Sequence, residues 1–262
     1  MSQAAGWSRR LHNNMLQYGK IDFEYEPFPI GLASPALDEK VYRDLVDSFP
    51  PIDLFEYKPD KGGKYSLSQV NHPRQYRNFI RNSDPWRAFH HYIKSPEFIA
   101  GALQMLEDNG IDLGIPDIGF AEKMYLRARA IKRGNPVPHF AKLKARFEFS
   151  AMPVAGGNIL PHTDHPKKVI TMVIPMLKEN EWNPAWGGGT SMVWPKDKTK
   201  SFNRMNSYLD FDEVDVLKTF EFEPNQNLVF IKTNNSWHAV SPMTGDDPKT
   251  LRHTLTINIE SS

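Results

Sequence analysis

The chain has no cysteine in its 262 residues, which excludes disulfides and every metal site built on thiolates. It also lacks a charge bias. Thirty-two Lys and Arg against 31 Asp and Glu leave a formal net charge of +1, without the basic excess of a general nucleic-acid binder. Basic clusters such as RARAIKR at 127–133 are short and read as a solvated face. No run approaches the roughly 18 apolar residues of a membrane span, and the opening MSQAAGWSRRLHNN has no apolar signal region. The expectation is a soluble, cytoplasmic protein with neither membrane nor nucleic acid as partner. Repeats, low-complexity tracts and a Ser-His-Asp spacing are absent too. The triple glycine at 187–189 is not followed by Lys and a helix, so it is a tight start to a strand and no phosphate loop.

The residues that are present divide the chain in two. SPALDEKVYRDLVDSFP (34–50) repeats Leu37, Val41, Leu45 and Phe49 at helical spacing between prolines, which predicts a capped helix. DPWRAFHHYIKSPEFIAGALQMLEDNG (84–110) predicts two more, broken near Ser95-Pro96 and ended by Gly110. The polar stretch 56–76 between them reads as a long loop or irregular edge. From about residue 141 the pattern shortens to a period of two. KLKARFEFSAM (142–152) alternates Leu143, Ala145, Phe147 and Phe149 with Lys142, Lys144, Arg146 and Glu148, and the charged set reads as a solvated face. Further strands are expected at 168–177, 189–195, 217–224, 227–233, 236–243 and 252–260, with another around His162. Many short strands behind a helical segment predict a mainly β protein with helical support (α+β), a two-sheet jelly roll. The expected organisation is a single domain over 1–262, with 1–140 as helical support and 141–262 as the jelly-roll core. The polar stretch 196–216 reads as an insertion over one end of the roll.

Two of nine histidines flank an aspartate in NILPHTDHP (158–166). A polar turn is the plain explanation. The sharper one is that His162 and Asp164, two apart on an extended segment, face the same way and share a metal with His238 of NNSWHAVSP. Two imidazoles and one carboxylate on one side of an ion leave positions open for O2 and a co-substrate, the pattern of non-haem Fe(II) oxygenases. Zinc in hydrolases accepts the same set. Arg252 separates the two, with Thr254 on the same face of the last strand: a buried guanidinium beside a hydroxyl suits a carboxylate. His165 and His253 turn away from their neighbours and read as structural. Trp182, Trp186, Trp194 and Trp237 read as core or rim.

His-X-Asp, a distant His and Arg-X-Thr resemble the Fe(II)/2-oxoglutarate-dependent dioxygenases. PHTDHPKKVITMVIPM, WGGGTSMVWP, NSWHAVSPM and RHTLTINIE fall in that family's order, closest to its prolyl-hydroxylase-like branch, over about 141–260. The resemblance implies a double-stranded β-helix of cupin-like form, with Fe(II) held by His162, Asp164 and His238. It implies that Arg252 and Thr254 bind the distal carboxylate of 2-oxoglutarate. It also implies O2 as oxidant, succinate and CO2 as co-products, and hydroxylation of a C–H bond in a small molecule, amino acid or peptide. Halogenating relatives replace the carboxylate ligand with a small residue, so Asp164 favours hydroxylation. One feature departs from the branch: no tyrosine stands in FEFSAMPVAGGNIL, where relatives place one against 2-oxoglutarate. Ser150, Asn158, Thr171 and Arg146 are the candidates for its place. Two rivals are a zinc-dependent hydrolase on a cupin-like roll, which gives Arg252 no task, and a binding module without chemistry, which needs no intact triad.

Overall fold

The computed structural model describes residues 15–18, 21–113, 124–125, 128–129, 131–132 and 143–261. The amino-terminal stretch 1–14 and positions 127, 130 and 133 of the basic cluster lie outside them. Among the described residues, four α-helices form: α1 (Glu39–Asp47), α2 (Pro73–Asn82), α3 (Asp84–Ile93) and α4 (Pro96–Asp108). The helix ends follow from local chemistry. Asp38 caps α1 by accepting from the backbone N–H groups of Lys40 and Val41, and Ser95 caps α4 at Phe98 with proline in the first turn, where a missing N–H does no harm.

Eight strands make the core: β5 (Leu143–Pro153), β6 (Ile159–His162), β7 (Lys168–Pro175), β8 (Thr190–Pro195), β9 (Val214–Phe220), β10 (Asn227–Ile231), β11 (His238–Val240) and β12 (Leu251–Ser261). They are divided between two antiparallel sheets. The smaller has the order β6-β11-β8-β9, and the larger contains β10-β7-β12-β5. This is the double-stranded β-helix, the jelly roll that the strand spacing predicts. The amino-terminal region is not only helical. It supplies β1 (Ile21–Glu24) and β2 (Ile30–Ala33) beside β10, and β3 (Glu56–Lys58) and β4 (Lys64–Ser68) beside β5. The polar stretch 56–76 is therefore no loop: it holds an edge hairpin and the start of α2. Its strands are too short to show a period.

The helices cover one face of the larger sheet. Leu45, Trp86, Phe89 and Phe98 from the helices share a continuous core with Phe147, Phe149, Ile170, Met172, Leu255 and Ile257 from the sheet. The opposite face of that sheet looks toward the smaller sheet. No helix among the described residues is long and apolar enough to cross a membrane.

Candidate metal and anion site

The space between the sheets is a cavity of about 500 Å³, and the sequence-predicted residues meet in it. Strand pairing sets the first two. His162 ends β6 directly opposite His238 at the start of β11. The two ring centroids lie 4.3 Å apart. Asp164 joins them, but not by strand alternation. β6 stops at His162, and Asp164 takes a left-handed backbone with φ of 70°, a conformation Asp tolerates better than most residues. The turn brings its carboxylate to 3.6 Å from His162 Nε2 and 3.9 Å from His238 Nε2. One ligand atom from each residue lies within 4.8 Å of the other two, and all three residues are buried.

Backbone carbonyls fix both imidazoles. His162 Nδ1 lies 2.9 Å from Leu160 O, and His238 Nδ1 lies 2.9 Å from Ser236 O. A carbonyl can only accept, so Nδ1 carries the proton and each Nε2 offers a lone pair to the centre. Burial pushes His238 down to about 3, so it is neutral at ordinary pH, as a ligand must be. Burial alone would raise the Asp164 carboxyl. The Lys168 ammonium is the largest of the causes that outweigh it and hold the group well below the usual carboxylate range. Lys168 Nζ lies 2.6 Å from Asp164 Oδ1, and the Thr171 hydroxyl donates to Oδ2 at 3.1 Å.

Arg252 lines the same cavity. It is 3% exposed, stacks 4.2 Å above the Phe222 ring and donates from Nε to Gly188 O at 2.6 Å. Burial pushes its guanidinium down to about 9, which leaves it charged near neutrality. Gly188 makes this docking possible: at φ of 86° a Cβ would stand 2.8 Å from the Trp182 ring and 3.3 Å from Arg252 Cδ. The triple glycine is thus a tight strand start, and also the seat of the arginine. Thr254 lies two residues along, its hydroxyl 2.7 Å from Ser150 Oγ on the neighbouring strand β5.

Of the four residues proposed to replace the missing tyrosine, Ser150 alone is bonded to Thr254 in the cavity. Thr171 serves Asp164, Asn158 lines the rim, and Arg146 is paired with Glu260 at 2.6 Å. On the charged side of β5 only Lys144 is solvated; Arg146 and Glu148 are partly buried. This side turns toward the cavity side of the sheet, where Glu148 is paired with Lys64 at 2.7 Å. His253 packs 4.8 Å from the Phe49 ring on the helix side, the structural place its alternation implies. None of the four tryptophans noted above lines the cavity.

His165, read from its alternation as structural, also lines the cavity, and Lys168 and Tyr208 are cavity residues that sequence reasoning missed. Lys168 follows a His-Pro turn and reads as a surface lysine. Tyr208 belongs to the polar insertion 196–216, and its ring stacks on His162 at 5.4 Å. That insertion is tied over the triad by Leu209 N–H to Pro161 O at 3.1 Å and by Trp237 Nε1 to Ser201 O at 2.9 Å. A buried tryptophan N–H that needs an acceptor was the available signal.

No protein-family model matches the chain, and no curated protein matches it. Among solved structures, the chain is similar to a prolyl-4-hydroxylase from Pseudomonas putida, with 13% identity over 89% of this chain and 92% of that one and a TM-score of 0.45. It is also similar to a prolyl hydroxylase from Trichoplax adhaerens in complex with a hypoxia inducible factor peptide fragment, with 10% identity, 98% and 88% coverage and a TM-score of 0.45. A third is an oxidoreductase of the 2OG-Fe(II) oxygenase family from Burkholderia pseudomallei, with 11% identity, 99% and 90% coverage and a TM-score of 0.39. At these TM-scores the likenesses leave the functional reading to the geometry of the site.

Proposed function

We propose that this chain is a non-haem Fe(II)- and 2-oxoglutarate-dependent dioxygenase that hydroxylates a C–H bond of a small molecule, amino acid or peptide. One observation carries the reading: a His-Asp-His cluster and a buried arginine without an acidic partner among the described residues share one cavity. The residues fit the groups this chemistry needs. His162 and His238 offer unprotonated Nε2 atoms, and Asp164 adds one negative charge, a donor set suited to a divalent ion. Arg252 is a cation in want of an anion. A carboxylate of 2-oxoglutarate satisfies it, with Thr254 and Ser150 as neighbouring hydroxyls.

When bound, Fe(II) with 2-oxoglutarate and O2 supplies the oxidising power, yielding succinate and CO2 as co-products. The protein's own residues do the rest. The carbonyls of Leu160 and Ser236 keep both rings aimed inward, and the Thr171 hydroxyl orients the Asp164 carboxylate. Arg252 fixes the far end of the co-substrate. Phe230 and Val173 line part of the wall and keep water from it, and Tyr208 covers His162.

The rival readings lose on the same observation. A zinc hydrolase has no use for Arg252, and a binding module has none for three convergent ligand atoms. The test is a screen for O2-dependent succinate formation with Fe(II), repeated with His162→Ala, Asp164→Ala and His238→Ala. Each substitution should abolish turnover and leave the fold nearly intact. Near-normal turnover in any one removes that residue from the ligand set, and full activity with Zn(II) in place of Fe(II) would favour the hydrolase.

A further inference from the structure

The charges around the triad do not balance once the site is filled. Lys168 lines the cavity with its ammonium 2.6 Å from Asp164 Oδ1. The other two carboxylates of that sheet face are already engaged. Glu148 is held by Lys64 at 2.7 Å and by the Ser66 hydroxyl at 3.1 Å, and Glu260 is held by Arg146 at 2.6 Å. Asp164 is therefore the one carboxylate that Lys168 pairs with among the described residues. Lys232 stays out of the count: it does not line the cavity and spends its hydrogen bond on Thr233 O.

A divalent ion on Asp164 takes over the negative charge that Lys168 now uses. It also places two positive charges beside an ammonium that the fold shields from water. The remaining count is simple. Asp60 and Lys61 on the rim cancel, as do Glu148 and Lys64, and Asp164 and Lys168. The divalent ion and dianionic 2-oxoglutarate also cancel, which leaves the charge of Arg252. A cavity between two sheets does not keep a spare charge at no cost, and one more anion restores balance.

Resting on the dioxygenase reading above, we propose that the primary substrate is an organic monoanion and that Lys168 is the specificity residue that anchors its carboxylate. The ammonium that pairs with Asp164 turns to the substrate once the ion and 2-oxoglutarate are bound. Its stem is rooted at the first residue of β7, four positions beyond Asp164, so a short swing of the flexible side chain is enough. The arrangement disfavours amines and neutral amides, which would leave the freed lysine facing a like charge or no charge.

The test uses the full chain loaded with Mn(II), which does not turn over, and with saturating 2-oxoglutarate so that Arg252 is occupied. The probes are butanoate, pentanoate and hexanoate, with the primary amides and primary amines of the same chain lengths. Paramagnetic relaxation of the probe protons by Mn(II) reports binding near the triad. The acids should bind, and the amides and amines should bind at least about tenfold more weakly. Lys168→Met should weaken the acids by a similar factor, and Lys168→Arg should restore most of the loss. Amides or amines that bind as well as acids, acids that fail to bind wild type, or acids unaffected by Lys168→Met each overturn the proposal. Should Lys168→Met not fold, the wild-type comparison of acids, amides and amines still decides. Failure of the wild type to take up Mn(II) and 2-oxoglutarate contradicts the dioxygenase reading itself, and the inference falls with it.

Discussion

The two faces of the larger sheet are built from the same strands and do opposite work. Along β12, Leu255, Ile257 and Ile259 join the core under the helices. Between them, Arg252, Thr254 and Thr256 line the cavity, the Asn258 side-chain amide lies 3.2 Å from the Thr171 hydroxyl, and Glu260 holds Arg146. β5 divides in the same way, with Phe147 and Phe149 on the dry side and Arg146, Glu148 and Ser150 on the other. A dry face gains free energy by burial. A polar face enclosed between sheets is justified only by what it binds, because it has to be satisfied by partners or ligands. Stability and chemistry are therefore separable by parity of residue number, and the separation can be attacked from either side.

The largest effect should follow from removing the helices altogether. A fragment of 141–262 would expose the whole dry face, and we expect it to aggregate or to lack a cooperative melting transition. Clean two-state unfolding of that fragment would divide the chain into two domains and refute the single-domain proposal. Next comes Phe149→Ala, which opens a hole among Phe49, Phe79, Trp86 and Phe147. It should lower stability by about 3–5 kcal/mol, seen as a lower urea midpoint at unchanged slope. Affinity for 2-oxoglutarate should barely move in the folded fraction.

Acid attacks the other face. His238 is held down to about 3 by burial, so the unfolded chain takes up a proton near pH 6.5 that the folded chain refuses. Its contribution is therefore complete above about pH 6.5 and fades as the pH falls toward 3, by at most about 1.4 kcal/mol per unit. The Asp164 carboxyl, held below its ordinary range, adds a loss at lower pH still. The metal-free protein should thus melt progressively earlier between pH 6.5 and 4, and His238→Gln should flatten part of that slope. Equal slopes would show that His238 is not the buried neutral group described here. The smallest effect belongs to Thr254→Val, which removes one neutral hydrogen bond to Ser150. It should weaken 2-oxoglutarate by about 1 kcal/mol, roughly fivefold, in a binding titration.

The same parity decides what could be read from the sequence. β5 and β12 are eleven residues long, enough for alternation to announce them, and α1 carries its cap and its stripe. β1 to β4 are three to five residues long, too short for any period, and they are strands because an existing sheet edge offers them partners. The triad was legible as residue types at a spacing. Its geometry was not: the left-handed backbone at Asp164 replaces the strand that the spacing suggested. Arg252 stood out because a charge on an inward face demands a reason. The polar set on β5 gave no such warning, since an alternating charged face looks the same whether it meets solvent or a cavity. Lys168 and Tyr208 were hidden for a related reason. Their partners, Asp164 and His162, are brought to them by a turn and by an insertion, and neither has a periodic signature.

The central claim is that the His-Asp-His cluster and the Arg252 guanidinium form one site. The most direct measurement is an anaerobic titration of the Fe(II)-loaded protein with 2-oxoglutarate, following the visible charge-transfer band expected from the family resemblance. Wild type should saturate. Arg252→Gln should keep its iron, since no ligand is removed, yet bind 2-oxoglutarate about thirtyfold or more weakly, the equivalent of roughly 2–5 kcal/mol for a broken buried charge contact. Arg252→Lys should fall between, keeping the charge without the fork. If Arg252→Gln binds 2-oxoglutarate as wild type does, the guanidinium is not the anchor and the two halves of the site are unrelated.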